Sequence, residues 1–430
     1  MSIAEAVAGR QRPPEAVLEW IPAEGDVVVG AANGEPVSVV DAIEAAAGSF
    51  EAVRLHQMLA LHPRRYIDGA YPGLHHISWF LSPATRQAFH ASTCDLVPNS
   101  FSDVPRLLRQ AVDPALVVAS VSAPDRHGYF SLGPDAEYTA ALIGEVPFFV
   151  EVNAQMPRTY GGNQLHISDV VGWCPADRPL VALPQPPVAD RDRRIAELVA
   201  ERIPDGATLQ AGIGAIPDTV LTMLIGHREL GVHTELLGDG FVDLVEAGVV
   251  TGTRKRTHRN KLVTTSALGS QRLYDFVADN PGVEFWPVDY TNNPEIIARE
   301  PLMHSVNATL EVDFLGQCAS ESLGSDYLSS SGGQPDYARG AVMAEHGQSF
   351  IVLHSTAADD TVSRIVPQLH LGAAVTTFKN IVDKVVTEYG VAELRGSSVA
   401  ERSRRLIAIA HPRFRDELER MGREIGYLCR

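Results

Sequence analysis

Gly206-Ala207-Thr208-Leu209-Gln210-Ala211-Gly212-Ile213-Gly214-Ala215-Ile216-Pro217 reads as a turn glycine, a short strand, an elbow of small residues and a proline that opens a helix. Glycines allow the tight elbow, and proline suits a first helical turn because its fixed φ and missing N–H cost nothing there. Val220, Leu221, Leu224 and Ile225 then recur at helical spacing. The same grammar stands 181 residues earlier, in Gly25-Asp26-Val27-Val28-Val29-Gly30-Ala31-Ala32-Asn33-Gly34-Glu35-Pro36. Gly25/Gly206, Pro36/Pro217 and Val39/Val220 are identical at that offset. Internal duplication and a shared strand–elbow–helix grammar explain these identities equally well, and each stretch reads as a β–turn–α unit on either account.

Outward from these units, short apolar runs alternate with helical patterns. Leu116-Val117-Val118, Phe148-Phe149-Val150, Phe350-Ile351-Val352-Leu353 and Val385-Val386 read as strands, and Phe241, Leu244, Val245 and Val249 as a helix face. This alternation predicts an α/β fold with mainly parallel sheets. Between Cys174 and Asp190, Pro175, Pro179, Pro184, Pro186 and Pro187 interrupt any regular pattern, and a charged helix from about Arg191 to Arg202 follows. Prolines at that density predict a linker. Two domains are therefore expected, 1–185 and 186–430, with their boundary near residue 185.

Composition narrows the function classes. The chain has 430 residues, 45% apolar and 21% charged, which is ordinary usage for a soluble protein with room for more than one core. Lys and Arg number 36 against 53 Asp and Glu, a formal net charge of -17 that repels phosphate backbones, so no nucleic-acid partner is expected. Cys94, Cys174, Cys318 and Cys429 form no Cys-x-x-Cys pair, which argues against a metal site, a redox pair or a disulfide framework. The first residues, with Glu5, Arg10, Arg12 and Glu15, do not read as a signal peptide, and no run approaches about 18 apolar residues. A cytoplasmic protein with no membrane partner is the expectation.

Several segments could carry chemistry. Gly212-Ile213-Gly214 precedes a helix N-terminus, whose unpaired N–H groups suit an anion or an oxygen gaining negative charge; a tight βα turn needs the same small residues. Pro217 stands where a dinucleotide fingerprint needs its third glycine. In His233-Thr234-Glu235-Leu236-Leu237-Gly238-Asp239-Gly240, Glu235 lies near the carboxyl end of a strand, where α/β sheets place ligand chemistry. From spacing alone a loop glutamate is more often solvated or capping, and Asp239 and Asp243 suit a helix dipole. Ser329-Ser330-Ser331-Gly332-Gly333-Gln334 is a second small-residue loop, followed by Asp336-Tyr337. His75-His76 reads as an ordinary pair, and Arg64-Arg65 and Arg404-Arg405 as solvated faces. No Gly-x-Ser-x-Gly elbow or Walker loop is present.

Taken together, ordered segments along nearly the whole chain resemble the acetyl-CoA hydrolase/transferase family, particularly its 4-hydroxybutyrate and butyryl-CoA:carboxylate CoA-transferase branch. They are Val121 to Gly133, Glu151-Val152-Asn153 with Met156-Pro157-Arg158-Thr159, Gly212 to Pro217 and His233-Thr234-Glu235. Val288 to Pro294, Glu311-Val312-Asp313, Gly332-Gly333-Gln334, Ser363 to Pro367, Val386 to Ala392 and Leu394-Arg395-Gly396 complete the set. The resemblance implies two open α/β domains of CoA-transferase type with the active site between them. It also implies a catalytic glutamate at Glu235, in the C-terminal domain. It makes Gly212, Ile213, Gly214, Ala215 and Ile216 a CoA-binding loop and Gly333 a second backbone donor, with Asn292 and Glu388 as polar active-site positions. CoA is then a substrate, with no permanently bound cofactor and no metal, exchanged between acyl-CoA and a small carboxylate in a homo-oligomer.

Two stretches depart from the family. Ser355-Thr356-Ala357-Ala358-Asp359-Asp360 carries acids where relatives usually have a lysine followed by glycines, so a CoA phosphate must find positive charge elsewhere. Ser330 and Ser331 replace a glycine and an aliphatic residue. An acyl-CoA hydrolase using the same glutamate and a catalytically silent CoA-binding protein are the alternative readings.

Overall fold

The computed structural model describes residues 2–184 and 187–428; the boundary expected near residue 185 and Cys429 lie outside them. The chain forms two compact units, Met1–Leu183 with Val263–Thr291, and Pro184–Leu262 with Asn292–Arg430. The fold is α/β with mainly parallel sheets.

In the first unit the runs rich in β-branched and aromatic residues become strands β1 (Glu24–Val29), β2 (Ala52–Met58), β3 (Leu74–Phe80), β4 (Cys94–Leu96), β5 (Leu116–Val121), β6 (Phe148–Asn153) and β7 (Val170–Ala176). All are parallel, in the order β7-β6-β5-β1-β2-β3-β4. The first strand is central because successive strands are added on one side of it up to β4 and on the other from β5 onward. β5 and β6 are buried along their whole length, as their uninterrupted apolar character requires of strands covered on both faces. Helix α1 (Val37–Ala45) buries Val39, Val40, Ala42 and Ile43, and Val39, Val40 and Ile43 join the core containing Val27, Leu55 and Phe149. The segment 263–291 is tied to this unit by Tyr274, whose hydroxyl donates to the Val181 carbonyl at 2.7 Å and accepts from the Asn33 amide at 2.9 Å.

Two local expectations are corrected. Pro175 lies within β7, opposite Val152, although the proline-dense stretch predicted a linker. β7 is an edge strand, where a missing N–H need not break a ladder. Arg64 is buried rather than solvated, and its guanidinium forms ion pairs with Glu35, at 2.6 Å, and with Asp41.

In the second unit the order runs β13-β12-β11-β10-β8-β9. The strands are β8 (Thr208–Ala211), β9 (Gly231–His233), β10 (Met303–Ala308), β11 (Gln348–Val352), β12 (Lys384–Thr387) and β13 (Gly390–Glu393). All are parallel except β13, which returns along β12 as a hairpin. Helix α2 (Asp190–Ala200) is the charged helix expected after the proline-rich stretch. Helices α3 (Ala215–Met223), α4 (Asp239–Glu246) and α5 (Gln334–Met343) follow β8, β9 and the 329–333 loop. The loops that carry the sequence motifs therefore leave one carboxyl edge of one sheet: 212–214 after β8, 234–235 after β9, 354–355 after β11 and 388 after β12.

Candidate active site

Gly231, Val232 and His233 are fully buried in β9, and Thr234 continues the buried run. The Thr234 hydroxyl lies 3.1 Å from the Leu236 carbonyl and 3.5 Å from the Ala211 carbonyl at the end of β8, which fastens the turn that displays Glu235. Glu235 itself is half-buried. The Asn292 Nδ2 donates to its Oε2 at 2.5 Å. Asn292 is fully buried just before Asn293, whose own side chain accepts from the Glu295 N–H at 2.9 Å and caps the short helix Pro294–Ile297. With Asn293 turned to that cap, Asn292 is left to face the carboxylate.

The third member is Gly333, at the start of α5. Its N–H donates to Glu235. A Cβ on Gly333 would collide with Glu235 Oε2 and Asn292 Nδ2. The backbone at Gly333 has φ -93°, so glycine is required here by the close approach of the carboxylate and not by an unusual dihedral. Pro335 in the first turn of α5 presets the helix start.

Burial pushes the Glu235 carboxyl up to about 7, and the charge of Asp336 in the first turn of α5 adds to the rise, while the Asn292 amide and Gly333 N–H favour the ionised form. Beneath it, the buried rings of His233 and Tyr337 meet edge to face at 6.4 Å. Asp218, in the first turn of α3, is likewise pushed up to about 6 by burial and by Asp239 in the first turn of α4.

The expected CoA loop, Gly212 to Ile216, follows β8, the strand beside β9. Gly214 takes φ +124°, a conformation that favours glycine, and Ile213 is 59% exposed. Gly214 is also the N-cap of α3, so the cap position itself offers no side chain. Glu388 is on the same edge but is engaged elsewhere: the Ser355 N–H and hydroxyl donate to its two oxygens at 2.9 and 2.7 Å. Four strand spacings separate β12 from β9, about 19 Å, so Glu388 is not gathered around Glu235. No sequence signal assigns a role to Asp336, Tyr337 or Ser355. A Pro two residues after Gly333 was the signal that Asp336 would fall in the first turn of a helix pointing at the site.

The His-Thr-Glu and Gly-Gly-Gln motifs, far apart in the chain, thus meet at one carboxylate. The family model of the acetyl-CoA hydrolase/transferase N-terminal domain matches residues 12–182, and that of the C-terminal domain matches 269–421. The succinyl-CoA:cyclohexane-1-carboxylate CoA transferase of Geobacter metallireducens is 44% identical over 91% of this chain and 90% of its own. The chain belongs to the acetyl-CoA hydrolase/transferase family. Another relative, the 4-hydroxybutyrate coenzyme A transferase of Clostridium kluyveri, is 42% identical over 91% of this chain and 92% of its own. Among solved structures, the 4-hydroxybutyrate CoA-transferase of Porphyromonas gingivalis superposes with a TM-score of 0.82 at 36% identity, covering 98% of this chain and 99% of that one. Both family domains are thus present, and the stretch between the two matches, 183–268, holds Gly212 to Ile216 and Glu235.

Among the described residues no group of His, Cys, Asp and Glu is arranged to hold a metal ion, and no helix is long and apolar enough to cross a membrane. Cys94, Cys174 and Cys318 are buried and unbridged; burial pushes the first two thiols up to about 12 and about 11, so they stay protonated.

Proposed function

We propose that this protein is a CoA-transferase that moves CoA between a short-chain acyl-CoA and a small carboxylate, of the acetate, butyrate or 4-hydroxybutyrate class, through a covalent glutamyl-CoA thioester on Glu235. The observation that carries the reading is the Glu235 carboxylate met by two donors, Asn292 Nδ2 and the Gly333 N–H, at a glycine where a side chain would collide with it.

The chemistry follows from that arrangement. A Glu235 oxygen attacks the thioester carbonyl; the C–S bond breaks, giving an acyl-glutamyl anhydride and CoA thiolate. The thiolate attacks the glutamyl carbonyl, the anhydride C–O bond breaks, and the carboxylate of the original acyl group leaves. An incoming carboxylate runs the same steps in reverse and departs as the new acyl-CoA. Each tetrahedral intermediate carries an oxyanion, and a well-placed backbone N–H is worth about 3 kcal/mol to such a species. Gly333 supplies one such donor, and the glycine turn 212–214 the other. Partial desolvation keeps Glu235 basic enough to attack while leaving it substantially ionised at neutral pH.

No permanently bound cofactor enters this route, and CoA is a substrate. A cytoplasmic, homo-oligomeric enzyme accompanies the reading on family resemblance. The test is to incubate the protein with acyl-CoA, reduce with borohydride and weigh the peptide containing Glu235. A mass change confined to that residue is expected, together with CoA transfer that depends on added carboxylate. An unchanged mass, or thiol release indifferent to added acids, overturns it.

A further inference from the structure

Arg364 lies at the bend between the hairpin formed by Thr356–Ala357 and Val362–Ser363 and the short strand Ile365–Val366. Its backbone is held on both sides: its N–H donates to the Ser355 carbonyl at 2.9 Å, and its carbonyl accepts from the Val312 N–H at 2.9 Å. The side chain is half-buried, its Nη1 donates to the Leu310 carbonyl at 3.4 Å, and its buried Nε has no acceptor. Among the described residues no carboxylate forms an ion pair with it. The charged group that faces it is another cation, Arg191, in the first turn of α2, and burial together with that neighbour pulls the Arg364 pKa down.

Arg191 Nη1 reaches Asp360 Oδ1 at 3.0 Å and Thr356 Oγ1 at 3.3 Å, and its side chain is 45% exposed. Glu388, just past β12 on the same edge, is engaged by Ser355, and Asp192 on α2 by His354 at 2.7 Å. Of the two facing guanidinium groups only that of Arg191 is paired with a carboxylate, while Arg364, half-buried, keeps an orphaned donor, which leaves the pair one anion short, because buried charge is ordinarily paired. The planar fork of arginine suits a phosphate in particular.

The location gives that anion a source. Ser355 and Thr356 follow β11, three strand spacings along the carboxyl edge from β9, about 14 Å from the strand that displays Glu235. That gap is of the size a pantetheine arm crosses between its sulfur and its first phosphate. We propose that Arg191 and Arg364 form a phosphate subsite for CoA, with Asp360 as the internal anion that an incoming phosphate displaces from Arg191. The proposal rests on the CoA-transferase reading above and deepens it. It also answers where positive charge comes from in a hairpin whose tip is acidic.

The test compares acyl-CoA with the corresponding acyl-pantetheine, which lacks every phosphate. In Arg191→Gln the ratio of kcat/KM for acyl-CoA to that for acyl-pantetheine should fall about tenfold, the worth of a charge-assisted contact. In Asp360→Asn the ratio should rise. Arg364→Lys, which keeps charge but loses the fork, guards against misfolding in a neutral variant and should also lower the ratio. Dephospho-CoA identifies the group: an Arg191→Gln penalty that vanishes with it marks the 3′-phosphate, and one that persists marks the diphosphate. Should the protein turn over no thioester, the transferase reading fails by itself, and calorimetric titration with CoA still reads the subsite as a Kd raised about tenfold in Arg191→Gln. Ratios and Kd values unchanged in both arginine variants would sink the proposal, as would Arg191-dependent binding of inorganic phosphate with which CoA does not compete.

Discussion

At the scale of single residues the site turns on what Gly333 lacks. Its backbone dihedrals are open to any residue, so Gly333→Ala should fold, with a Tm lower by only a few degrees. The added methyl would nonetheless occupy the position of Glu235 Oε2 and push the carboxylate and Asn292 aside. A displacement of about 1 Å at a reacting atom costs about a hundredfold in rate, and a steady-state assay should show a loss of that size. Activity within a fewfold of wild type would remove Gly333 from the site. Glu235 adds a pH signature. Its folded pKa of about 7 exceeds the ordinary 4.5, so its contribution to stability is present below about 4.5 and is lost as pH rises through 7. Glu235→Gln does not titrate there and should gain on wild type between pH 5 and pH 8, by an amount on the order of 2 kcal/mol. Chemical denaturation at the two pH values measures it; a constant difference between the proteins would mean that the carboxyl is not desolvated.

Among elements, the 356–363 hairpin is the one built against local preference. Ala358, Asp359 and Asp360 take φ of +50°, +52° and +63° in succession, a left-handed run that costs an L-residue roughly 1–2 kcal/mol each and glycine little. Ala358→Gly, at the residue least suited to that region, should stabilise the protein by about 1 kcal/mol after the extra entropy of an unfolded glycine is counted, read as a higher urea midpoint. A lower midpoint would show that the run is not left-handed in solution. Elsewhere the sequence spoke clearly where one element decides the pattern: the apolar runs at Val27, Leu116, Phe148, Phe350 and Val385 all became strands, and Pro36 and Pro217 sit at helix starts. It was silent where a residue's role depends on a distant partner. Arg64 read as solvated because Glu35, 29 residues away, cannot be foreseen from spacing. Pro175 read as a strand breaker because only strand order reveals an edge. The Glu235–Asn292–Gly333 cluster was legible through family motifs alone, since no periodicity joins residues so far apart, and the same motifs offered no hint that Ser355 engages Glu388.

Across the whole molecule, the two units repeat one plan with different helix starts. In each, the first strand lies where the order reverses, β1 between β5 and β2, β8 between β10 and β9, and in each a helix follows that strand directly. Such reversal points are where α/β sheets open to ligands. In the first unit the helix N-terminus is sealed from within: Glu151, fully buried on β6, accepts from the Ser38 N–H at 2.7 Å and from the Ser38 hydroxyl, and is paired with Arg178. In the second unit the N-cap of the equivalent helix is Gly214, which has no side chain to offer. One half therefore holds a buried carboxylate at its first helical turn, where the other places a glycine with φ +124°. The seal has a measurable worth. Glu151→Gln keeps an acceptor for Ser38 but strips Arg178 of its counter-charge and leaves a buried amide with donors to satisfy, and breaking one partner of a buried pair costs about 3–5 kcal/mol. Because Arg178 is partly exposed and can turn to water, the lower end applies, about 3 kcal/mol, measured as loss of stability by chemical denaturation. A change no larger than that of a surface substitution would mean that Glu151 does not hold the helix start, and the contrast between the two halves would then need another cause.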